Sequence, residues 1–445
     1  MMNILFILQY VPYPVNSGGN QATFNMIDKA RRQHHVSVLF NIANGGSEAA
    51  LQQLRPIWSN VTFYTYQEPE VKPMPKPTSL AFRICEYFQK MFTRKVNRKI
   101  RKYHASINKA DKSEIGKENK ETDDFVRLNS CLNHPYPSFT DGYKNFVYQV
   151  SRKGFDAIQI EFFECIPLVY LLPENVCKIY VQHEIRYIRN KNELDLFKQQ
   201  TTADFYLWRV LKDMELSALR HYDYVVALTE IDKQLMLADD KDLNIFVSPA
   251  VVRLSDNKFS CTQTATELVF VGSGEHFPNA DGVMWFCQEV LPLLKQKSND
   301  IKVNIVGKWS QAQQQDLTAI EPSLNFTGYV DDLESYMNGK ISIVPIRIGS
   351  GMRMKLLDSV ISASPIVTTS KGCEGLPFAN GETCLIADTP SDFANAIEQM
   401  LNNENNIQKT FVDNAFSNIS SIIDANQQIQ RRMSLYQEIE KQRRR

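Results

Sequence analysis

The chain has 445 residues, 43% of them apolar and 22% charged, with 50 basic and 50 acidic side chains. At about 150 residues per domain this predicts two or three domains with ample material for large cores. A formal net charge of zero gives no global field toward nucleic acid or membrane, and no apolar run reaches the roughly 18 residues of a bilayer span. The eight cysteines contain no C-x-x-C pair and the seven histidines no metal-ligand spacing, which predicts a reduced, cytoplasmic chain without a metal or other cofactor. The opening MMNILFILQYVPYPV lacks a basic leader and breaks at Gln9, so it predicts a first strand and no signal peptide.

Residues 3 to 8 predict a buried strand, followed by PYPVNSGGNQATF, in which Gly18-Gly19 open a helix carrying Phe24, Ile27 and Ala30. Strand, glycine turn and helix N-terminus is a geometry that accepts anions. The G-x-G-x-x-G of a dinucleotide fold is absent, however, and a turn serving only chain geometry is the competing reading. Val36 to Phe40 and Val61 to Tyr64 predict two more strands. From about 66 to 145 the rhythm stops. Between Lys72 and Lys120 there are 14 Lys/Arg against 4 Asp/Glu, interleaved with Phe82, Tyr87, Phe88, Met91 and Phe92. This is either a solvated insertion or a patch for an anionic surface, such as lipid headgroups or a lipid-diphosphate acceptor. No nucleic-acid module accompanies it, so nucleic acid is not an expected partner.

The αβ alternation resumes at Asp156. Strands are predicted at Ala157 to Ile160 (ending at Glu161), Lys178 to Val181 (ending at Gln182-His183-Glu184), Tyr224 to Leu228 (ending at Thr229-Glu230) and Asn244 to Val247, with one long helix from about Asn190 to Arg220. Their polar terminal residues face one edge of a parallel sheet, where ligands bind. His183 on such a tip is either a site residue or a helix-capping histidine. Residues 251 to 267 are polar and aperiodic and predict a linker. A second series begins at Leu268 to Gly272-Ser273-Gly274, with a helix from Asn279 to about Leu294 and strands at Val303 to Val306 and Phe326 to Gly328.

Within this second series lies ISIVPIRIGSGMRMKLLDSVISASPIVTTSKGCEGL, residues 341 to 376. An apolar strand meets the turn Gly349-Ser350-Gly351, and a helix follows from about Met352 to Ala363. Met352, Leu356, Leu357, Val360 and Ile361 make its apolar stripe, with Lys355, Asp358, Ser359 and Ser362 on the opposite face. A second strand at Pro365 to Val367 runs into Gly372-Cys373-Glu374-Gly375. Glycine amides and a helix N-terminus attract an anion. Arg353 and Lys355 would add charge, and Asp358 would accept bonds from hydroxyls, which together suits a phosphate joined to a sugar. An ordinary helix with a Lys355–Asp358 surface pair is the alternative. Strand Thr383 to Ala387, a helix from Pro390 to Leu401 and a helical tail to Arg445 complete the chain. The expected fold class is α/β, with two Rossmann-like domains facing across a cleft: 1–248 carrying the insertion at about 66–145, a linker at 249–266, a nucleotide-sugar domain at 267–420, and a C-terminal helix at 421–445.

The stretch VPIRIGSGMRMKLLDSVISASPIVTTSKGCEGL resembles the donor-site signature of glycosyltransferase family 4, whose fold is GT-B. LVFVGSGEHFPNADGVMWFCQEVLP resembles the opening of that family's second domain, and PYPVNSGGNQATF its N-terminal glycine loop. The resemblance covers about 1 to 65 and 156 to 420. It implies a metal-independent, retaining transferase that moves a sugar from a nucleotide-diphosphate sugar to a glycan or lipid-linked acceptor. By the resemblance, Asp358 stands where a glutamate accepts bonds from the ribose hydroxyls, and Arg353 and Lys355 neutralise the diphosphate. Gly18, Gly19, Gly272, Gly349, Ser350 and Gly351 would border the donor, with Glu374 and Gly375 beside its sugar or base. His183 corresponds to a histidine near the transferred sugar, and Glu161 is assigned to the acceptor. The chain departs from the family at Ser350, where a glutamate is usual, and at His276 to Asp281, which lacks the customary Arg/Lys pair. A non-catalytic binding or scaffold protein on the same fold is the competing expectation, and a sugar-nucleotide epimerase a weaker one.

Overall fold

The structure, a computed structural model, describes residues 1–15, 18–42, 45–68, 123–133, 139–251, 260–261, 263–297 and 301–443. Residues 1–67 and 126–445 form one compact unit, which carries both sheets, and residues 68–125 divide from it as a second. The basic stretch from Lys72 to Lys120 lies outside the described residues, and so do residues 252–259 and 262 of the expected linker. Among the described residues no helix is long and apolar enough to cross a membrane.

The first lobe is a parallel sheet of β1 (Asn3–Leu8), β2 (His35–Asn41), β3 (Thr62–Tyr66), β4 (Ala157–Glu161), β5 (Cys177–Gln182), β6 (Tyr224–Ala227) and β7 (Ile245–Val247), ordered β3-β2-β1-β4-β5-β6-β7. The second is a parallel sheet of β8 (Glu267–Val271), β9 (Val303–Val306), β10 (Leu324–Gly328), β11 (Lys340–Val344), β12 (Ile366–Thr368) and β13 (Leu385–Ile386), ordered β10-β9-β8-β11-β12-β13. The strands are near-continuous apolar runs because helices cover both faces of a parallel sheet. Every residue of β1 after Asn3 is buried, as is every residue of β4, β6 and β9.

Strand order reverses beside β1 in the first sheet and beside β8 in the second, and ligands of doubly wound sheets bind at such switch points. The loops there are those after β1 (Gly18-Gly19) and β4 (Phe162), and those after β8 (Gly272) and β11 (Gly349 to Gly351). β4 and β5 pair in register with Glu161 opposite Val181, so the carboxylate and His183, two residues beyond Val181, share one edge.

Three expectations need correction. The helix expected from Asn190 to Arg220 is two, Arg186–Asp195 and Thr202–Leu219. Thr201 and Asp204 make a reciprocal capping box that starts the second afresh. The side of helix Met354–Ile361 expected to be polar and open is partly interior: Ser359 and Ser362 are fully buried, and the Ser359 hydroxyl bonds Ser342 of β11 at 2.7 Å. Finally, the tail is two helices, Ile407–Ile423 and Ala425–Arg443, and the latter belongs to the first lobe. Its Tyr436 hydroxyl donates to Gln159 of β4 at 2.7 Å, Arg443 pairs with Asp156 at 3.0 Å, and Glu440 pairs with the amino terminus at 2.8 Å.

Candidate functional site

On the second lobe, the loop after β11 turns at Gly349 (φ +120°) and Gly351 (φ +80°) into helix Met354–Ile361. The stripe expected to pack does so: Met352, Leu356, Leu357, Val360 and Ile361 are all buried. Packing of that stripe fixes the helix and directs the residues before and beside it toward the strand ends. Arg353 sits at the helix cap, where Nη1 donates to the Ser350 carbonyl and Nε lies 3.4 Å from the Lys371 carbonyl. Its Nη2 is buried and has no partner. A buried guanidinium N–H left unbonded is costly, and an incoming anion would satisfy it. Lys355 makes no ion pair with Asp358. Its ammonium instead donates to the Asn279 side chain at 2.6 Å and lies 4.5 Å over the Phe270 ring. Burial, followed by the Arg353 charge, pushes the Lys355 pKa down to about 7. Asp358 is pushed up to about 7, first by burial and then by Glu334.

On the first lobe, β4 ends at Glu161 and β5 leads to His183, and His183 Nε2 lies 2.6 Å from a Glu161 carboxylate oxygen. The Phe162 ring stacks on the imidazole at 4.4 Å, and its backbone is held at φ +70°. A bulky residue in that region is strained, and such strain gathers at functional sites. Glu161 is not open to an acceptor, contrary to expectation. It is 2% exposed, and its second oxygen accepts a bond from Gln159 at 2.5 Å.

The two lobes meet through the glycine turn. The Ile185 amide donates to the Ser350 hydroxyl at 2.6 Å, and that hydroxyl donates back to the Ile185 carbonyl at 3.2 Å. Gly351 N–H donates to Asp232 at 3.1 Å and Gly349 N–H to Asn192 at 3.2 Å. These two amides, expected to bind phosphate, are thus engaged by the first lobe. A Cβ at Gly351 would lie 2.2 Å from the His183 carbonyl, and one at Gly18 would lie 2.6 Å from Met354. Gly375 closes on Thr229 in the same way, at 2.8 Å. Both glycine loops therefore converge at one place. Gly19 faces Tyr10 and Phe162 within the first lobe, and Gly272 faces Asn279, the residue that holds Lys355. Glu374 is paired with Lys371 at 2.8 Å.

Several charged groups here carry no motif. Helix Arg186–Asp195 places Arg189 against Glu184 at 2.9 Å and Arg186 against Glu164 at 3.0 Å, and Arg186 Nε is buried without a hydrogen bond, 3.9 Å from the Glu184 carboxylate. Burial favours the protonated form of Glu184, yet Arg189 and Arg186 outweigh it and hold the pKa at about 2. His276 lies 3.5 Å from Arg189, and burial drops its pKa to about 3, so it stays neutral. The buried Glu215 accepts the amides of Arg186 and Tyr187 at 3.1 and 2.9 Å and anchors this helix at its N-terminus. The short pattern EIRYIR in a polar helix offers no sequence signal for these roles. In the segment His276 to Asp281, which lacks the customary basic pair, Asp281 binds Arg347 at 2.7 Å and Asn279 binds Lys355.

Residues 265–403 match the family model described as Glycosyl transferases group 1. The matched residues lie in the second lobe. The matched span contains Gly272, the turn Gly349 to Gly351, Arg353, Lys355, Asp358, Glu374 and Gly375. A curated relative, an uncharacterized 44.6 kDa protein in the cps region of Klebsiella pneumoniae, is 30% identical over 168 residues, which is 36% of this chain and 42% of that protein. The match thus spans less than half of the relative's length. Among solved structures, TarM, known from S. aureus, superposes with a TM-score of 0.64 at 14% identity, covering 98% of this chain and 99% of that one. Sucrose-phosphate synthase from Thermosynechococcus elongatus gives 0.62 at 13%, covering 99% of each chain. Anabaena HepE in complex with UDP and glucose gives 0.56 at 13%, covering 98% and 100%. Identities this low speak to the fold alone. The fold is GT-B.

Proposed function

We propose that the protein is a glycosyltransferase that moves a sugar from a nucleotide-diphosphate sugar to a glycan or lipid-linked acceptor, with retention and without a metal, in surface polysaccharide synthesis on the cytoplasmic side of the membrane. One observation carries the reading: the buried, partly unpartnered Arg353 guanidinium and the Lys355 ammonium stand on the second lobe where the loops of both lobes converge. The relative from a cps region and the HepE structure holding UDP and glucose support the acceptor class and the donor class.

In the reaction, the bond from the anomeric carbon to the diphosphate breaks as the acceptor oxygen bonds the same face of the sugar. The acceptor's proton leaves on the departing phosphate oxygen. Negative charge grows on the diphosphate, and fixed cations in a site closed to water oppose it most effectively. Arg353 and Lys355 supply those cations, Asp358 accepts the ribose hydroxyls, and Glu161 holds His183 beside the transferred sugar. Closure of the two lobes sets the reactants in line, which lowers the barrier by positioning alone.

Donor affinity is expected to be bell-shaped in pH, centred near 7. Above pH 7 Lys355 loses its proton, and affinity falls by up to about tenfold per pH unit. Below pH 7 Asp358 becomes protonated and accepts hydroxyls less well. Glu184, held near 2, and His276, held near 3, do not titrate across this range. Calorimetry with the intact nucleotide sugar measures the profile. Lys355→Met removes the alkaline limb and Asp358→Asn the acid limb, and an unchanged profile in both variants contradicts the assignment.

The function itself is tested by thermal shift and hydrolysis against UDP-, GDP-, dTDP- and ADP-sugars. At least one donor is expected to stabilise the protein and to turn over, and failure of the whole panel on both counts overturns the proposal. The engagement of Gly349, Ser350 and Gly351 by the first lobe favours a second reading, a binding or scaffold protein that holds a nucleotide sugar without turnover. Stabilisation with no hydrolysis and no transfer would select it.

A further inference from the structure

The C-terminal helix Ala425–Arg443 packs on the first lobe, and its Tyr436 begins a chain of hydrogen bonds that runs through Gln159 and Glu161 to His183. The Tyr436 hydroxyl donates to Gln159 Oε1 at 2.7 Å, and Gln159 Nε2 donates to Glu161 Oε1 at 2.5 Å. Glu161 Oε2 then lies 2.6 Å from His183 Nε2. Tyr436 and Gln159 are fully buried and Glu161 is 2% exposed, so water does not compete at the first two links, and only the His183 end is partly exposed. Each donor faces an acceptor. A tyrosine hydroxyl sets the amide orientation of Gln159, the amide presents N–H to the carboxylate, and the carboxylate accepts a bond from the His183 tautomer that carries its hydrogen on Nε2. Arg432, on the same helix, lines a small cavity together with Glu161 and His183.

We propose that Tyr436 and Gln159 are positioning residues for His183, and that the returning C-terminal helix is therefore part of the transferase site. The inference rests on the reading above, in which His183 stands beside the transferred sugar. Neither Tyr436 nor Gln159 touches substrate. Their effect passes through Glu161 to the tautomer and tilt of the imidazole, which Phe162 steadies from its face. Removing the Tyr436 hydroxyl leaves Gln159 Oε1 buried and unbonded, which frees the amide to turn and present oxygen to the carboxylate.

A double-mutant cycle tests this, measured as hydrolysis of whichever sugar nucleotide of the panel the full-length protein turns over, with transfer where an acceptor is known. Tyr436→Phe is expected to lower kcat about tenfold with the donor KM within about twofold, in the manner of an interaction that tightens only as the sugar reacts. In a His183→Ala background the same substitution is expected to change kcat less than about twofold, because the chain then has no end to act on. Multiplicative losses in both backgrounds, or no loss in the wild type, overturn the chain while leaving the transferase reading intact. No loss from His183→Ala itself removes the His183 role and the inference with it. Should Tyr436→Phe melt early, Gln159→Glu supplies a second arm. It sets a carboxylate against Glu161, and it is expected to lower kcat at least as far without shifting donor affinity; unchanged kcat there also overturns the proposal.

Discussion

Arg353→Ala is expected to lower nucleotide-sugar turnover about 100- to 1,000-fold, the loss seen when one fixed group that stabilises transition-state charge is removed. Arg353 neighbours the turn that joins the lobes, and its Nη2 has an unmet bond to offer. Charge on a departing diphosphate is largest in the transition state, so most of the loss should fall on kcat and less on donor affinity. Arg353→Lys is expected to recover little, since an ammonium cannot hold the Ser350 carbonyl while also reaching an anion with a second N–H of a planar fork. Steady-state kinetics, with melting temperature as a control for folding, checks both variants. A loss under about tenfold in Arg353→Ala would remove this residue from the chemistry.

Gly351→Ala is expected to cost about 100-fold in kcat, comparable to the price of a 1 Å misplacement between reacting groups. Two independent effects act at that residue. Its backbone sits at φ +80°, a region L-residues enter at a cost, and a Cβ would lie 2.2 Å from the His183 carbonyl on the opposite lobe. The neighbour is backbone, which cannot swing aside, so the lobes must separate. That separation also breaks the Ser350–Ile185 and Gly351–Asp232 bonds and moves Arg353 away from His183. Small-angle scattering should register a larger radius of gyration, and kinetics the loss of turnover. Retention of wild-type compactness and rate would mean that the lobes do not need this contact to work.

Much of the fold was legible because parallel sheets write themselves as short apolar runs separated by helical spacing. Each strand named from the sequence is present, and the polar residues closing those runs stand at the carboxyl edge of the sheet, as Glu161 and His183 do. The helix after Gly351 was legible from its stripe, which is buried as expected. What escaped is what depends on distant partners. Ser350 meets Ile185 across 165 positions and Tyr436 meets Gln159 across 277, and no local pattern announces either bond. The burial of Glu161 was hidden for the same reason: a carboxylate on a strand tip looks open until His183 beyond the adjacent strand meets one oxygen and Gln159, held by the C-terminal helix, the other. The break between Asp195 and Thr202, by contrast, was available in Thr201-x-x-Asp204, a capping signal hidden inside an otherwise helical composition.

The most direct test of the account is the structure of the protein bound to the nucleoside diphosphate of its donor. Phosphate oxygens are expected within about 3 Å of Arg353 Nη2 and Lys355 Nζ, with the ribose hydroxyls against Asp358. A diphosphate bound elsewhere, with Lys355 still on Asn279 and Arg353 Nη2 still unpartnered, would contradict it.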